Sequence, residues 1–241
     1  MDASLPLDKS NRGFTLIELL TVIAIIAILM GLLFPALTAA KNSAKKAQAR
    51  TDMASLVTAV SAYHADYGLY PLNSKNGGAG AVGWDTCYGD PAGLYSSADL
   101  CDILRAIPDT VWNINNQLNI RQVIYFEGNV AKSAIAPRAG LVMTPNGVTG
   151  PTGKPIPYGA YVDPWGMEYV VFIDSNYDGN LTVPPPGQPP YEAAAYWFYP
   201  NSIGTINLNC GVAAVSLGPD HSWGTAGNGI FVGSDDVSTW Q

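Results

Sequence analysis

Gly13-Phe14-Thr15-Leu16-Ile17-Glu18 begins an apolar run that reaches Phe34, and Glu18 is the one charged residue inside it. An ionised carboxylate is costly in hydrocarbon and requires a compensating cation. Hydrolysis between Gly13 and Phe14 would create one, because the freed amine of Phe14 could be neutralised by Glu18 of a neighbouring copy. Assembly would then supply the missing ion pair.

About 21 residues at 1.5 Å each give roughly 32 Å of helix, enough to cross a hydrocarbon core. The preceding segment, Met1 to Arg12, is polar and balanced in charge, and it lacks the apolar centre of a secretory signal. The apolar segment would therefore survive the cut, and the mature chain would keep its membrane helix. A surface apolar on all sides is buried equally well by lipid or by sister helices. Composition agrees with an exported, one-domain protein, with three cysteines in 241 residues and a net charge of −7. Only 13% of residues are charged, against about 25% in ordinary soluble domains. The acidic balance argues against nucleic acid as the main partner.

This N-terminus resembles the type IV pilin and pseudopilin superfamily, whose precursors carry a short polar leader ending in Gly, then Phe, with Glu at the fifth mature position. The resemblance covers Arg12 through Leu20 and continues to Tyr67-Gly68-Leu69-Tyr70-Pro71, with Pro35 where the family places a helix-distorting proline. It implies cleavage after Gly13 by a prepilin peptidase, N-methylation of Phe14, and Glu18 as the assembly residue. The implied organisation is a cleaved leader over 1–13, a membrane and filament-core half-helix over 14–35, an amphipathic half-helix over 36–67 and an exported α+β domain over 68–241. Lys9 and Arg12 are offset by Asp2 and Asp8, whereas Lys41, Lys45, Lys46 and Arg50 lie beyond the span, so charge alone favours the reverse topology. The resemblance instead implies a leader in the cytoplasm and a domain in the periplasm, on a single pass through a bacterial inner membrane.

Past Pro35 the pattern becomes amphipathic. Met53, Leu56, Val57, Val60, Tyr63 and Tyr67 recur at helical spacing, forming one stripe able to pack on a domain, while Lys41, Lys45, Lys46 and Arg50 take the wet side. Alanines sustain helix propensity, and Gly68 with Pro71 supplies a stop. Phe14 to Tyr67 could form one rod of about 80 Å. Pro35 removes a backbone donor and Gly31 weakens the same turn, so a kink or local melting is expected between them.

The remainder reads as a loop-rich α+β domain with the rod packed against an antiparallel sheet. Ala98 to Ile107 predicts a short helix with Asp99 in its first turn. Val123–Phe126, Tyr169–Ile173, Ala194–Tyr199 and Gly211–Leu217 are the strand candidates. Asn73 to Gly83 and Gly140 to Gly159 read as loops.

Asp163-Pro164-Trp165-Gly166 followed by Tyr169, Ser216-Leu217-Gly218-Pro219-Asp220, and Asp235-Asp236-Val237-Ser238-Thr239-Trp240 narrow the resemblance to the major pseudopilins of type II secretion. They match that group's turn and first strand, closing strand and calcium loop. The group usually has Gly after the aspartate where this chain has His221, and the domain here is longer by several loops. The implied function is that of a helical filament subunit, without an active site, whose growth pushes exported proteins through an outer-membrane channel. Its partners would be further copies of itself, minor pseudopilins, the inner-membrane assembly platform and the prepilin peptidase. A type IV pilin forming a surface fibre for adhesion, motility or DNA uptake is the alternative. A calcium-stabilised binding or enzymatic domain held by an uncleaved anchor is a third.

Calcium suits the C-terminal loop, since a hard cation takes six to eight oxygens and a glycine-rich loop can turn carbonyls inward beside carboxylates. Asp220, Asp235 and Asp236 would supply the charge, and metal binding would offset the entropy of ordering the loop. A second candidate runs from Asp174 to Asn180, with Asp174, Asn176 and Asp178 at alternate positions and Gly179 sixth, as in the first half of an EF-hand loop. Its twelfth position is Pro185 rather than Glu. A plain Asx-rich turn is the competing reading.

Nothing in the pattern points to catalysis. Neither His64 nor His221 is placed beside an activated Ser or Cys, and no Cys-x-x-Cys pair suggests zinc. A Cys87–Cys101 disulfide is compatible with an oxidising exterior, but Cys210 leaves the count odd and the pairing open.

Overall fold

Strong helix formers and the absence of glycine between Leu32 and Tyr67 sustain a single helix, α1, over Leu16–Tyr67. A computed structural model describes residues 15–72, 85–89, 95–108, 113–182, 207–222 and 234–240. The chain divides into two compact units, Met1–Ala44 and Lys45–Gln241. In the first, the apolar side chains from Leu16 to Leu37 are exposed, with Leu16 at 82% and Phe34 at 62%. The melting expected near Gly31 to Pro35 does not occur, and α1 is helical throughout that turn. Pro35 withholds only its own donor, and Leu32, Leu33, Ala36 and Leu37 keep the flanking turns helical.

In the second unit the amphipathic stripe does what its spacing predicts. Ala49, Met53, Leu56, Val60 and Tyr63 are buried, with Val57 and Tyr67 packed at the margin. Each of Met53, Leu56 and Val60 contributes about 1.5–3 kcal/mol by leaving water. Asp52 shares this buried face, where its Oδ2 accepts a hydrogen bond from the Tyr169 hydroxyl at 2.9 Å. Burial raises its carboxyl above the ordinary range against the pull of the Tyr169 and Tyr161 hydroxyls.

The strands, in chain order, are β1 (Thr86–Tyr88), β2 (Gly140–Leu141), β3 (Val148–Thr149), β4 (Pro155–Ile156), β5 (Tyr161–Val162), β6 (Val170–Ile173), β7 (Leu181–Thr182), β8 (Asn207–Leu208), β9 (Val212–Ser216) and β10 (Val237–Ser238). β1, β6, β9 and β10 form an antiparallel sheet in that order. Tyr88, Val171 and Ala214 pair across it and face the α1 stripe, whereas Cys87, Phe172 and Ala213 pair across it and face a second cluster with Met167, Leu181 and Leu217. This period-2 alternation makes an α+β domain with α1 on one face of the sheet.

Helix α2 (Ser97–Leu104) matches the expected short helix, and Ser96 with Asp99 forms a capping box at its start. Oε2 of the half-buried Glu168 accepts from the Ser96 hydroxyl at 2.6 Å and from the Ser97 main-chain N–H at 2.7 Å. Burial raises the Glu168 carboxyl despite these donors.

Several local expectations are corrected. Val123–Phe126 is not a strand, because the N–H groups of Tyr125 and Phe126 are spent on the Leu104 carbonyl instead of a ladder. The region from Gly140 to Gly159 is not all loop, since it contributes β2 and the short β3–β4 hairpin. The Cys87–Cys101 disulfide is not formed, and all three cysteines remain thiols. Cys87 lies on the sheet face opposite the one that packs Cys101 of α2, so the sheet separates them. The Ala194–Tyr199 strand and the Asn73–Gly83 loop fall on residues outside those described.

Candidate functional site

Three groups of residues carry the expected chemistry. The first is the start of α1. Thr15 is its N-cap: the Glu18 N–H donates to Thr15 Oγ1 at 3.3 Å, and Glu18 Oε2 accepts from the Thr15 N–H at 2.8 Å and from Oγ1 at 2.6 Å. This reciprocal capping box satisfies donors that a helix start otherwise leaves unpaired. Glu18 therefore has a partner in its own chain, which the sequence reading overlooked. The signal was present as Thr15-x-x-Glu18 ahead of an apolar run. Gly13 and Phe14 lie outside the described residues.

The second group is the Asp163 turn. Asp163 Oδ1 accepts the main-chain N–H groups of Trp165, Gly166 and Met167 at 2.9, 2.7 and 3.0 Å. Its Oδ2 accepts the Ser216 hydroxyl at 2.6 Å. The side chain is fully buried, and burial pushes the carboxyl up to about 6, with Ser216 and the turn's N–H groups pulling the other way. Two landmarks distant in sequence thus meet at one carboxylate.

The third group is the pair of acidic loops. Asp220 and Asp235 come together, because the Asp220 N–H donates to Asp235 Oδ2 at 3.2 Å. Gly218 makes this approach possible: its φ is +67°, and a Cβ there would stand 2.6 Å from the Asp235 carbonyl oxygen. Asp236 is buried and accepts from the Ser234 hydroxyl at 3.1 Å. Two carboxylate residues at one turn suit a cation that takes oxygen ligands. Among the described residues, however, no group of three or more His, Cys, Asp or Glu side chains is arranged around a common metal position. Residues 223–233 of this loop lie outside those described.

His221 occupies the left-handed region at φ 59°, which accounts for the glycine preferred there. Its pKa is lowered by burial, opposed by the charge of Asp220. In the second loop, Asp174 Oδ2 accepts from the Gly179 N–H at 2.9 Å, Asn176 Oδ1 from the Asp178 N–H at 2.9 Å, and Asp178 Oδ1 from the Asn180 N–H at 2.8 Å. These oxygens are turned onto their own loop, as an Asx-rich turn requires.

Residues 8–34 match the model of the prokaryotic N-terminal methylation motif. The chain is 30% identical over 112 residues to the type II secretion system core protein G of Dickeya chrysanthemi, an overlap of 46% of this chain and 70% of that one. It is 31% identical over 108 residues to the protein of the same name from Pectobacterium carotovorum subsp. carotovorum, covering 45% and 66% of the two chains. A third such protein, from Escherichia coli strain K12, is 39% identical over 65 residues, 27% of this chain and 45% of that one. No solved structure gives a significant match.

Proposed function

This chain belongs to the family of type II secretion system core protein G, the major pseudopilins, and from that premise we propose how its residues build the pseudopilus. It is a structural subunit of that secretion system, and its part is assembly rather than catalysis. The precursor is cut between Gly13 and Phe14, Phe14 is N-methylated, and the processed chain is held in the inner membrane by the apolar half of α1. The domain that follows stands on the periplasmic side.

Assembly transfers this half of α1 from lipid to sister helices. The observation that carries the reading is Glu18 itself, a carboxylate on the otherwise apolar and exposed first half of α1, in register with the methylation motif. Thr15 holds its Oε2 at the helix start, where the freed Phe14 amine of an adjoining copy can reach a carboxylate already oriented. Growth of the filament on the assembly platform, begun by minor pseudopilins, would drive export.

Calcium is part of this proposal at the C-terminal loop, with Asp220 and Asp235 as the first carboxylates and Asp236 behind them. The Asp174, Asn176 and Asp178 loop is the weaker candidate, its oxygens being engaged by its own main chain.

The decisive experiment compares mature masses and filament yield. A Gly13 substitution should leave the leader attached, and Glu18→Ala should be processed yet fail to assemble. An unchanged mature mass in the first, or normal filaments in the second, would remove the reading. Abundant long surface fibres at native expression would favour a type IV pilin instead.

A further inference from the structure

Asp178-Gly179-Asn180-Leu181-Thr182 runs from the turn after β6 into β7. Asn180 has Thr182 two positions on, and no other asparagine in the chain has Ser or Thr at that spacing. Asn-x-Ser/Thr is the acceptor sequence for an N-linked glycan, which is attached to the asparagine carboxamide. Asp178 places a carboxylate two positions before the acceptor, so the stretch also meets the stricter acidic-x-Asn-x-Ser/Thr pattern of bacterial oligosaccharide transfer. A short pattern also arises by chance, and accessibility decides its meaning.

The turn is anchored at its start and open at its tip. The Tyr70 N–H donates to the Tyr177 hydroxyl oxygen at 2.9 Å, and the two rings stack at 5.3 Å, which pins the turn to the chain just past the end of α1. Asp178 and Gly179 are exposed, and a Cβ built on Gly179 would meet no atom within 4 Å. Asn180 is half-buried, and its bonds are made within the turn: its N–H donates to Asp178 Oδ1 at 2.8 Å, and its Nδ2 donates to the Asp178 carbonyl at a long 3.4 Å. A sugar on Nδ2 would leave one N–H for that carbonyl and displace no tertiary hydrogen bond among the described residues. Leu181 differs, being fully buried, and β7 pairs with β8 through Leu181 and Thr182. A transferase needs its acceptor extended and free, so transfer belongs to the newly exported chain, before β7 docks.

We propose that Asn180 is an N-glycosylation site, modified with an oligosaccharide from a polyprenyl pyrophosphate donor by a transferase on the exported side of the membrane. A bond forms between Nδ2 and C1 of the first sugar. The C1–O bond to the donor breaks, its electron pair leaves with the lipid pyrophosphate, and Nδ2 gives one proton to a base of the transferase. The chain supplies the acceptor and no catalysis. The site rests on the exported placement of the domain proposed above.

The full chain is purified from its own bacterium and weighed intact and as peptides. A mass above that of the processed polypeptide is expected, carried on the peptide that contains Asn180, and Asn180→Gln should remove it. Thr182→Ser should keep the glycan. Thr182→Val, which retains a β-branched strand residue, should lose it. Asp178→Asn should lower occupancy several-fold. A glycan kept in Thr182→Val, or found on another residue, would overturn the site. An unmodified chain whose domain is digested by protease added to spheroplasts overturns the site alone. An unmodified chain protected from that protease removes the exported placement and the site with it.

The order of events is tested in vitro. Chain made without a transferase should be glycosylated when diluted from urea into a purified bacterial oligosaccharide transferase with its lipid-linked donor, and several-fold more slowly when added folded. Equal rates would overturn transfer before β7 docks, and no modification in either form would overturn the site.

Discussion

The hydroxyl of Ser216 donates to Asp163 Oδ2 at 2.6 Å, joining a turn before β6 to the end of β9 across 53 residues of sequence. Because Oδ1 of the same carboxylate already gathers three main-chain N–H groups, one side chain fixes both the turn and its place against the sheet. Removing it strands three donors in a dry interior, since the Gly166 N–H keeps the Asp163 carbonyl at 3.1 Å. Asp163→Ala should therefore lower stability by about 3 kcal/mol or more, while Ser216→Ala, which removes one donor, should lose about 1 kcal/mol. Urea unfolding of the full chain in detergent measures both, and a loss below that of Ser216→Ala in the Asp163 variant would contradict this role.

Acid should strengthen the domain before it weakens it. Asp163, raised by burial to about 6, binds a proton in the folded chain at a pH where the unfolded chain has lost it, and Asp52 and Glu168 are raised by burial in the same direction. The folded state then holds more protons than the unfolded state between about pH 4 and pH 6, so stability falls as pH rises through that window and levels off above it. Asp163 supplies up to about 3 kcal/mol of this change. His221, lowered by burial, works in the opposite sense near neutrality. Denaturation midpoints across the window should decline with pH in the parent and decline less steeply in Asp163→Asn, where Asp52 and Glu168 remain; midpoints that climb with pH in the parent would exclude the effect.

Thr15 should matter to the first turn of α1 independently of cleavage. Thr15→Val keeps the volume and removes the hydroxyl that both gives to and takes from Glu18. First-turn amides should exchange roughly five-fold faster in micelles, the size of a lost N-cap. Exchange indistinguishable from the parent would show that the box contributes nothing.

Calcium binding at the C-terminal loop should raise the melting point of the folded chain, by the equivalent of about 2.7 kcal/mol at a hundredfold excess over its dissociation constant. The shift should vanish in Asp235→Ala and persist in Asp178→Ala. Identical melting in calcium and in chelator would eliminate both loops as sites.

His221 sits at φ 59°, a backbone region that disfavours any residue with a Cβ by about 1 kcal/mol. His221→Gly should stabilise the domain by about 0.5–1 kcal/mol, less than the full strain because glycine also loosens the unfolded chain. A lower denaturation midpoint in the glycine variant would indicate that the imidazole contributes more than the strain costs.

What the sequence determined by itself was periodic or contiguous. The unbroken run behind Glu18 specified a span, the spacing of Met53, Leu56, Val60 and Tyr63 specified a buried stripe, and α2, β6 and β9 followed from local pattern. Each of these is encoded within a few turns of chain, where side-chain direction repeats with the backbone. Thr15 was equally local and could have been read from its capping spacing. Other features came only with the tertiary structure: the meeting of Asp163 with Ser216, Asp52 beneath Tyr169, the sheet that holds Cys87 away from Cys101, and Lys45 over Trp165. Those contacts join residues far apart in the chain, and strand order and register, which local periodicity does not carry, decide which of them meet.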